Sequence, residues 1–164
     1  MTDEVEGPKL SLRPATEDDL TAVLDIERRC YPAPCVAWTE EAFRGEIQKP
    51  FCHFLVLTDD ETDSILVGYV VYWLLFDECH ILNVAIHPDW RGQALGTLLV
   101  RNAINAAVKK EVKRVFLEVR KSNTGAISLY QKLGFFIDHI KTAFYENGDD
   151  CYFMVLYLEQ SNKF

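Results

Sequence analysis

A chain of 164 residues, 49% hydrophobic and 26% charged, has the size and composition of one soluble globular domain with a full core. Its net charge of −8 argues against non-specific nucleic-acid binding, which needs a basic surface, and suits a basic or amine-bearing partner. The acidic opening Met1-Thr2-Asp3-Glu4-Val5-Glu6 lacks the basic-then-apolar order of a signal peptide, and the longest apolar stretch, Val67 to Phe76, is too short to span a bilayer.

In chain order, Leu10 to Arg13 reads as a short first strand. Thr16 caps a helix from Glu17 to about Arg29, with Asp19 in a capping-box-like position and Leu20, Val23, Leu24 and Ile26 on the apolar side. Tyr31-Pro32-Ala33-Pro34 breaks it. Thr39 caps a second helix to about Gln48, with Trp38 and Phe43 spaced as a hydrophobic staple. Strands follow at Cys52 to Leu57, Ser64 to Phe76 and Cys79 to Ile86. The first two are joined by the acidic turn Asp59-Asp60-Glu61-Thr62-Asp63, and such short connections favour antiparallel hairpins. A helix from Leu95 to about Lys110 carries Leu99, Val100, Ala103, Ile104, Ala107 and Val108 at helical spacing. Arg114 to Arg120 is the next strand. Asn123 opens another helix with Ala126, Leu129, Tyr130 and Leu133 on one stripe, and Gly134 stops it. Phe135 to Thr142 and Cys151 to Leu158 form a closing antiparallel pair. The order β-α-α-β-β-β-α-β-α-β-β predicts a mixed α/β domain with a central, largely antiparallel twisted sheet flanked by about four helices. A single domain covers 1–164, with its core over about 10–158. Five cysteines (Cys30, Cys35, Cys52, Cys79, Cys151) without C-x-x-C spacing point to free thiols in a reducing cytosol, hence a cytoplasmic protein.

The stretch from Asn83 to Gly96 carries the most chemistry. A strand ends at Pro88, which has no N–H for a ladder, and a helix starts near Leu95 between Gly92 and Gly96. Small residues there let an anion approach N–H groups that lack helical partners, and the helix dipole adds attraction. The physical reading is a pyrophosphate cradle. It is neither a Walker A loop nor a dinucleotide fingerprint, because both spacings are absent. On the loop alone, a turn that needs small residues for packing explains it equally well.

The later motifs break that tie. Arg91-Gly92-Gln93-Ala94-Leu95-Gly96 resembles the loop signature Arg/Gln-x-x-Gly-x-Gly/Ala of the GCN5-related N-acetyltransferase (GNAT) superfamily, and the resemblance runs from Leu10 to Leu158. Leu117-Glu118-Val119-Arg120-Lys121-Ser122-Asn123, then Ala126-Ile127-Ser128-Leu129-Tyr130, then Leu133-Gly134-Phe135, together with the upstream Leu82-Asn83-Val84-Ala85-Ile86-His87-Pro88, are most similar to the bacterial ribosomal-protein-alanine N-acetyltransferases. The resemblance implies acetyl-CoA as cosubstrate. It implies that Val84, Ala85 and Ile86 offer backbone groups to the pantetheine arm and thioester. It also implies that Arg91, Gly92, Gln93, Ala94, Leu95, Gly96 and Thr97 hold the pyrophosphate, and that Asn123 binds the pantetheine arm. Capping alone also explains Asn123.

Two departures stand out. Ala94 replaces the usual glycine. Its methyl either crowds the pyrophosphate or meets a glycine-only backbone angle, whereas an ordinary helical angle tolerates it, so weakened affinity rather than lost binding is expected. Lys141-Thr142-Ala143-Phe144-Tyr145 replaces an Arg-x-Asn-Tyr-Tyr-like run near the acceptor, and only Tyr145 survives.

For catalysis, Glu118 alternates to the face opposite Leu117 and Val119, where a carboxylate amid apolar neighbours has a raised pKa and serves as general base. The competing reading is a polar-face residue paired with Arg120 or Lys121. Tyr130 is the candidate acid for the departing thiolate, against the alternative of a core tyrosine with a satisfied hydroxyl. Asn83 and Tyr145 border the acceptor. Cys79 and His80 point to opposite faces, and His53, His87 and His139 lack ligand spacing, so no metal is expected. The expected reaction is direct acetyl transfer to a protein N-terminal α-amine, with a ribosomal protein as a candidate partner and no direct role for nucleic acid or membrane. The same chemistry on a lysine or small amine, and a non-catalytic acyl-CoA-binding module, are the alternatives. The oligomeric state is left unspecified.

Overall fold

The computed structural model describes residues 9–61 and 65–159. The acidic opening segment and Thr62, Asp63 and Ser64 of the expected turn and strand lie outside the described residues. Seven strands form one sheet in the order β1-β2-β3-β4-β5-β7-β6. They are β1 (Leu10–Pro14), β2 (Cys52–Asp59), β3 (Ile65–Leu75), β4 (Glu78–Ile86), β5 (Arg114–Arg120), β6 (Phe136–Lys141) and β7 (Cys151–Tyr157). The helices are α1 (Leu20–Cys30), α2 (Glu40–Ile47), α3 (Leu95–Lys109) and α4 (Thr124–Lys132). Every strand pairing is antiparallel except β4 with β5.

Local chemistry sets these boundaries. The Thr16 N–H donates to the Asp19 carboxylate at 2.8 Å, closing the expected box, but the first turn (Glu17–Asp19) is a 3-10 helix and α1 follows it. The Thr39 hydroxyl accepts from the Ala42 N–H at 3.1 Å, and Trp38 meets Phe43 with ring centroids 5.1 Å apart, so the staple forms. The Asn123 side chain accepts from the Ala126 N–H at 3.3 Å and starts α4. Gly134 stops it at φ +99°, a left-handed angle that favours glycine.

Two cores sandwich the sheet. On one face α3 and α4 bury Leu99, Val100, Ala103 and Tyr130 against Val70, Ile81, Leu117 and Met154. On the other, α1 and α2 bury Val23, Ile26 and Phe43 against Phe54, Tyr69 and Val71. A wholly buried phenylalanine such as Phe43 contributes about 2–3 kcal/mol of transfer free energy. Val108, expected on the apolar stripe of α3, is instead 56% exposed, because the buried stripe passes from Ala103 to Ala107 and leaves its neighbour on the rim.

Two irregularities create the site. Between β3 and β4 the register runs Tyr72↔Ile81 and then Val71↔Asn83, so Leu82 is an extra residue. This bulge reverses the alternation of β4. Ile81 faces the α3–α4 core before it, as do Val84 and Ile86 after it, while Ala85 faces α1. Secondly, β4 and β5 pair over only four residues, Glu78 to Ile81 against Arg114 to Leu117. Beyond that seam the strands part, β4 continuing along β3 and β5 along β7.

Candidate active site

The parting of β4 and β5 opens two clefts that share Cys30, Tyr31, Val84, Asn123 and Tyr130. The first, of about 550 Å³, runs from β4 to the start of α3. Its backbone groups follow from strand pairing. The His87 N–H donates to Val67 on β3 at 2.8 Å, so alternate residues of β4 turn the other way. The carbonyls of Val84 and Ile86 therefore face the gap, where the Tyr31 hydroxyl donates to Val84 at 3.1 Å and the Cys30 thiol donates to Ile86 at 3.3 Å. The N–H groups of Val84 and Ile86 face the same gap. Ala85 lines the groove but pairs through its backbone with Tyr69 on β3.

The loop after β4 tightens at Pro88–Trp90 and passes two left-handed residues, Gly92 at φ +80° and Ala94 at φ +58°. The first helical bond of α3 runs from the Leu98 N–H to the Ala94 carbonyl at 3.1 Å. The N–H groups of Leu95, Gly96 and Thr97 thus lack helical acceptors. Arg91 adds a cation, with Nη2 3.2 Å from the Cys30 sulfur. Unpaired N–H groups, the positive helix end, an arginine and small residues at Gly92 and Gly96 together fit a pyrophosphate. Arg91, Gly92, Ala94, Leu95, Gly96 and Asn123 line the groove. The side chains of Gln93 and Thr97 do not. Thr97 faces the other flank of α3 beside Leu98, Arg101 and Asn102, and only its N–H belongs to the helix start.

The angle at Ala94 is not the ordinary helical one that would tolerate its methyl. Left-handed backbone costs an L-residue roughly 1–2 kcal/mol, while glycine loses roughly 0.4–1 kcal/mol more through the unfolded chain. Ala94→Gly is therefore expected to raise the melting temperature by about 1–4 °C and to bind acetyl-CoA as tightly or more tightly. Thermal melts and calorimetry check both, and a lowered melting temperature overturns the assignment of strain.

The second cleft, of about 320 Å³, lies on the α1 side of the parting and is lined by Asn83, Glu118, Tyr130 and Tyr145. Glu118 does not sit amid apolar neighbours. Its side chain is 25% exposed, Lys141 Nζ lies 3.4 Å from Oε2, and the Cys151 thiol donates to Oε2 at 3.8 Å. The lysine comes from β6, on the far side of β7 from β5. Nor is Arg120 its partner, because Arg120 turns to Glu146 and Asp149 and covers the Tyr145 ring at 3.9 Å. Glu118 thus offers an anionic oxygen held by a neighbouring cation.

Tyr130 is 7% exposed and packs against Phe135 with centroids 5.9 Å apart. Burial pushes its phenol up to about 12. Among the described residues no side chain or backbone group bonds its hydroxyl, which sits where the two clefts meet. Asn83 is buried and donates to Glu27 at 3.0 Å. Burial also raises the phenol of Tyr145.

Three contributors escaped the sequence. Tyr31, whose phenol is raised by burial, closes the shared wall; an aromatic residue just before Pro-Ala-Pro reads as a helix end. Glu27 is a buried carboxylate under the cleft, but one acidic residue beside Arg28 and Arg29 reads as solvated. Lys141 carries no local signal for a partner on another strand. Among the described residues, no three or more His, Cys, Asp or Glu side chains gather as a metal site, and no described helix is long and apolar enough to cross a membrane.

Residues 20–135 match the family model of the acetyltransferase (GNAT) family. The chain is 36% identical over 148 residues to a Bacillus subtilis (strain 168) protein provisionally named a ribosomal protein bS18-alanine N-acetyltransferase, covering 89% of this chain and 94% of that one. It is 32% identical over 131 residues to the Escherichia coli (strain K12) ribosomal protein bS18-alanine N-acetyltransferase, covering 80% and 84%. The crystal structure of the Escherichia coli ribosomal-protein-S18-alanine N-acetyltransferase superposes with a TM-score of 0.82 at 28% identity, covering 94% of this chain and 97% of that one.

Proposed function

The chain belongs to the acetyltransferase (GNAT) family and is an acetyl-CoA-dependent N-acetyltransferase; from that premise we propose that its acceptor is the α-amine of a protein N-terminus, ribosomal-protein-alanine in type. The observation that carries the reading is the junction of the two clefts at Tyr130 and Val84, with Glu118 facing it from the acceptor side. Acetyl-CoA supplies an activated acyl group. The N–H groups of Leu95 and Gly96, with Arg91, hold its pyrophosphate. The carboxamide oxygen of Asn123 is used in capping α4, which leaves its NH₂ for the pantetheine arm. The N–H of Val84 faces the gap where the thioester oxygen gains charge, and a fixed donor there stabilises it.

Glu118, directly or through one water, takes the proton of the incoming ammonium. The freed nitrogen forms the new C–N bond as the C–S bond breaks, and the sulfur leaves toward the Tyr130 hydroxyl. No enzyme-bound acyl group is required. An α-amine titrates near about 8 and a lysine near about 10.4, so a carboxylate deprotonates the α-amine more readily. The acidic chain also attracts a basic ribosomal-protein tail, and such a substrate places the reaction in the cytoplasm. The names of the similar Bacillus and Escherichia coli proteins favour a small first residue.

A peptide with a free N-terminal alanine and one internal lysine tests the acceptor. Mass spectrometry is expected to locate the acetyl group on the α-nitrogen. Acetyl on the lysine alone, or transfer only to free small amines in a parallel panel, overturns the N-terminal reading.

A further inference from the structure

Glu27 has no part in the chemistry above, yet it is 2% exposed and lines the acceptor cleft. Its Oε2 accepts from the Tyr69 hydroxyl and from Asn83 Nδ2 at 3.0 Å, and its Oε1 accepts from the Trp38 N–H at 2.9 Å. A carboxylate has about four acceptor sites, so one remains, on Oε1. All three donors are neutral, and among the described residues no lysine, arginine or histidine pairs with Glu27. A buried anion held only by neutral donors is costly unless a cation reaches it.

The other charges lining the cleft are already matched. Lys141 offsets Glu118, and Glu146 and Asp149 offset Arg120. Of the charged side chains lining the cleft, Glu27 is therefore the one that, among the described residues, faces no counter-charge. Its influence also registers on the flanking phenols: Tyr31 and Tyr69 are raised first by burial and further by this carboxylate.

We infer that Glu27 binds the incoming ammonium group of the acceptor and presents it to Glu118. The inference rests on the reading of this cleft as an amine site. Of the three ammonium N–H bonds, one goes to Oε1 of Glu27 and another is left for Glu118. Asn83 and Tyr69 hold the carboxylate still, and the Trp38 N–H ties it to the segment between α1 and α2. Because the nitrogen is cationic both on arrival and as the C–N bond forms, the contact is made in ground and transition states alike and appears in KM more than in kcat.

Glu27→Gln keeps the size and removes the charge. For a peptide with a free N-terminal alanine, KM is expected to rise roughly ten- to hundredfold, with kcat within a few-fold and acetyl-CoA affinity unchanged. In parallel, wild-type protein is expected to bind this peptide more tightly than a des-amino analogue by a similar factor, and the variant to bind both alike. An unchanged KM in a folded variant, or equal wild-type binding of amine and des-amino peptides, overturns the inference. The wild-type comparison decides alone if the variant does not fold. Where wild type acetylates only lysine, the N-terminal reading falls, and the same comparison between lysine and norleucine peptides decides the role of Glu27.

Discussion

Tyr130→Phe is expected to slow acetyl transfer by about 10²–10⁴-fold, the usual contribution of a positioned proton donor. The ring keeps its packing against Phe135. The lost hydroxyl has no bonding partner among the described residues, so stability is expected to stay within about 0.5 kcal/mol. Acetyl-CoA affinity is expected to change little, because the pyrophosphate contacts lie on the loop before α3. A phenol raised to about 12 by burial stays protonated across the working range. Its ionisation therefore removes no activity until the pH nears that value. Full proton transfer from such a phenol to a thiolate of ordinary basicity, about 8.5, is uphill by roughly 5 kcal/mol. The hydroxyl thus acts by donating a hydrogen bond into the developing negative charge, and the proton the thiol finally holds is the one the nitrogen sheds as the amide forms. Single-turnover measurement of released thiol checks this, and a near-wild-type rate shows that the residue only packs.

Gly96→Glu is expected to abolish acetyl-CoA binding while leaving the fold intact. A Cβ at this position meets Leu129 Cδ1 at 3.1 Å, which a small shift of that side chain relieves. The charge is decisive. A carboxylate about 5 Å from a phosphate charge costs roughly 3 kcal/mol at an effective dielectric of about 20, so two phosphates carry the loss well beyond a hundredfold. The same substitution favours the helix, since glutamate in the first turn suits the dipole and outranks glycine in propensity. Calorimetry and thermal melts are therefore expected to diverge, with binding gone and melting temperature held or raised. Undiminished binding would place the pyrophosphate elsewhere.

The elements could be read from the chain because their signals are local. The caps at Thr39 and Asn123, the stop at Gly134 and the strand from Arg114 to Arg120 each depend on residues a few positions apart. The loop from Arg91 to Gly96 was legible for the same reason, as was Tyr130 on its helical stripe. What escaped depends on residues distant in sequence. Leu82 gives no warning that it bulges, because the extra residue is defined only against β3. The setting of Glu118 depends on Lys141, two strands away in the sheet. The inward turn of Glu27 is specified by Tyr69, Asn83 and Trp38 rather than by any pattern within α1. The left-handed angle at Ala94 arises from the route of a loop that spacing alone does not describe.

The strand order β5-β7-β6 has a further consequence. Among the described residues β6 pairs in the sheet with β7 alone, so the two strands join β5 as a hairpin. Every residue lining the coenzyme groove precedes that hairpin, whereas Tyr145 between its strands lines the acceptor cleft and Lys141 and Cys151 within it hold Glu118. A partial opening that releases the hairpin alone would leave the cosubstrate seated and erase the acceptor pocket. In such an opened state the groove for the cosubstrate would persist without a pocket for its target, so the docking of one ribbon decides whether both sites exist together.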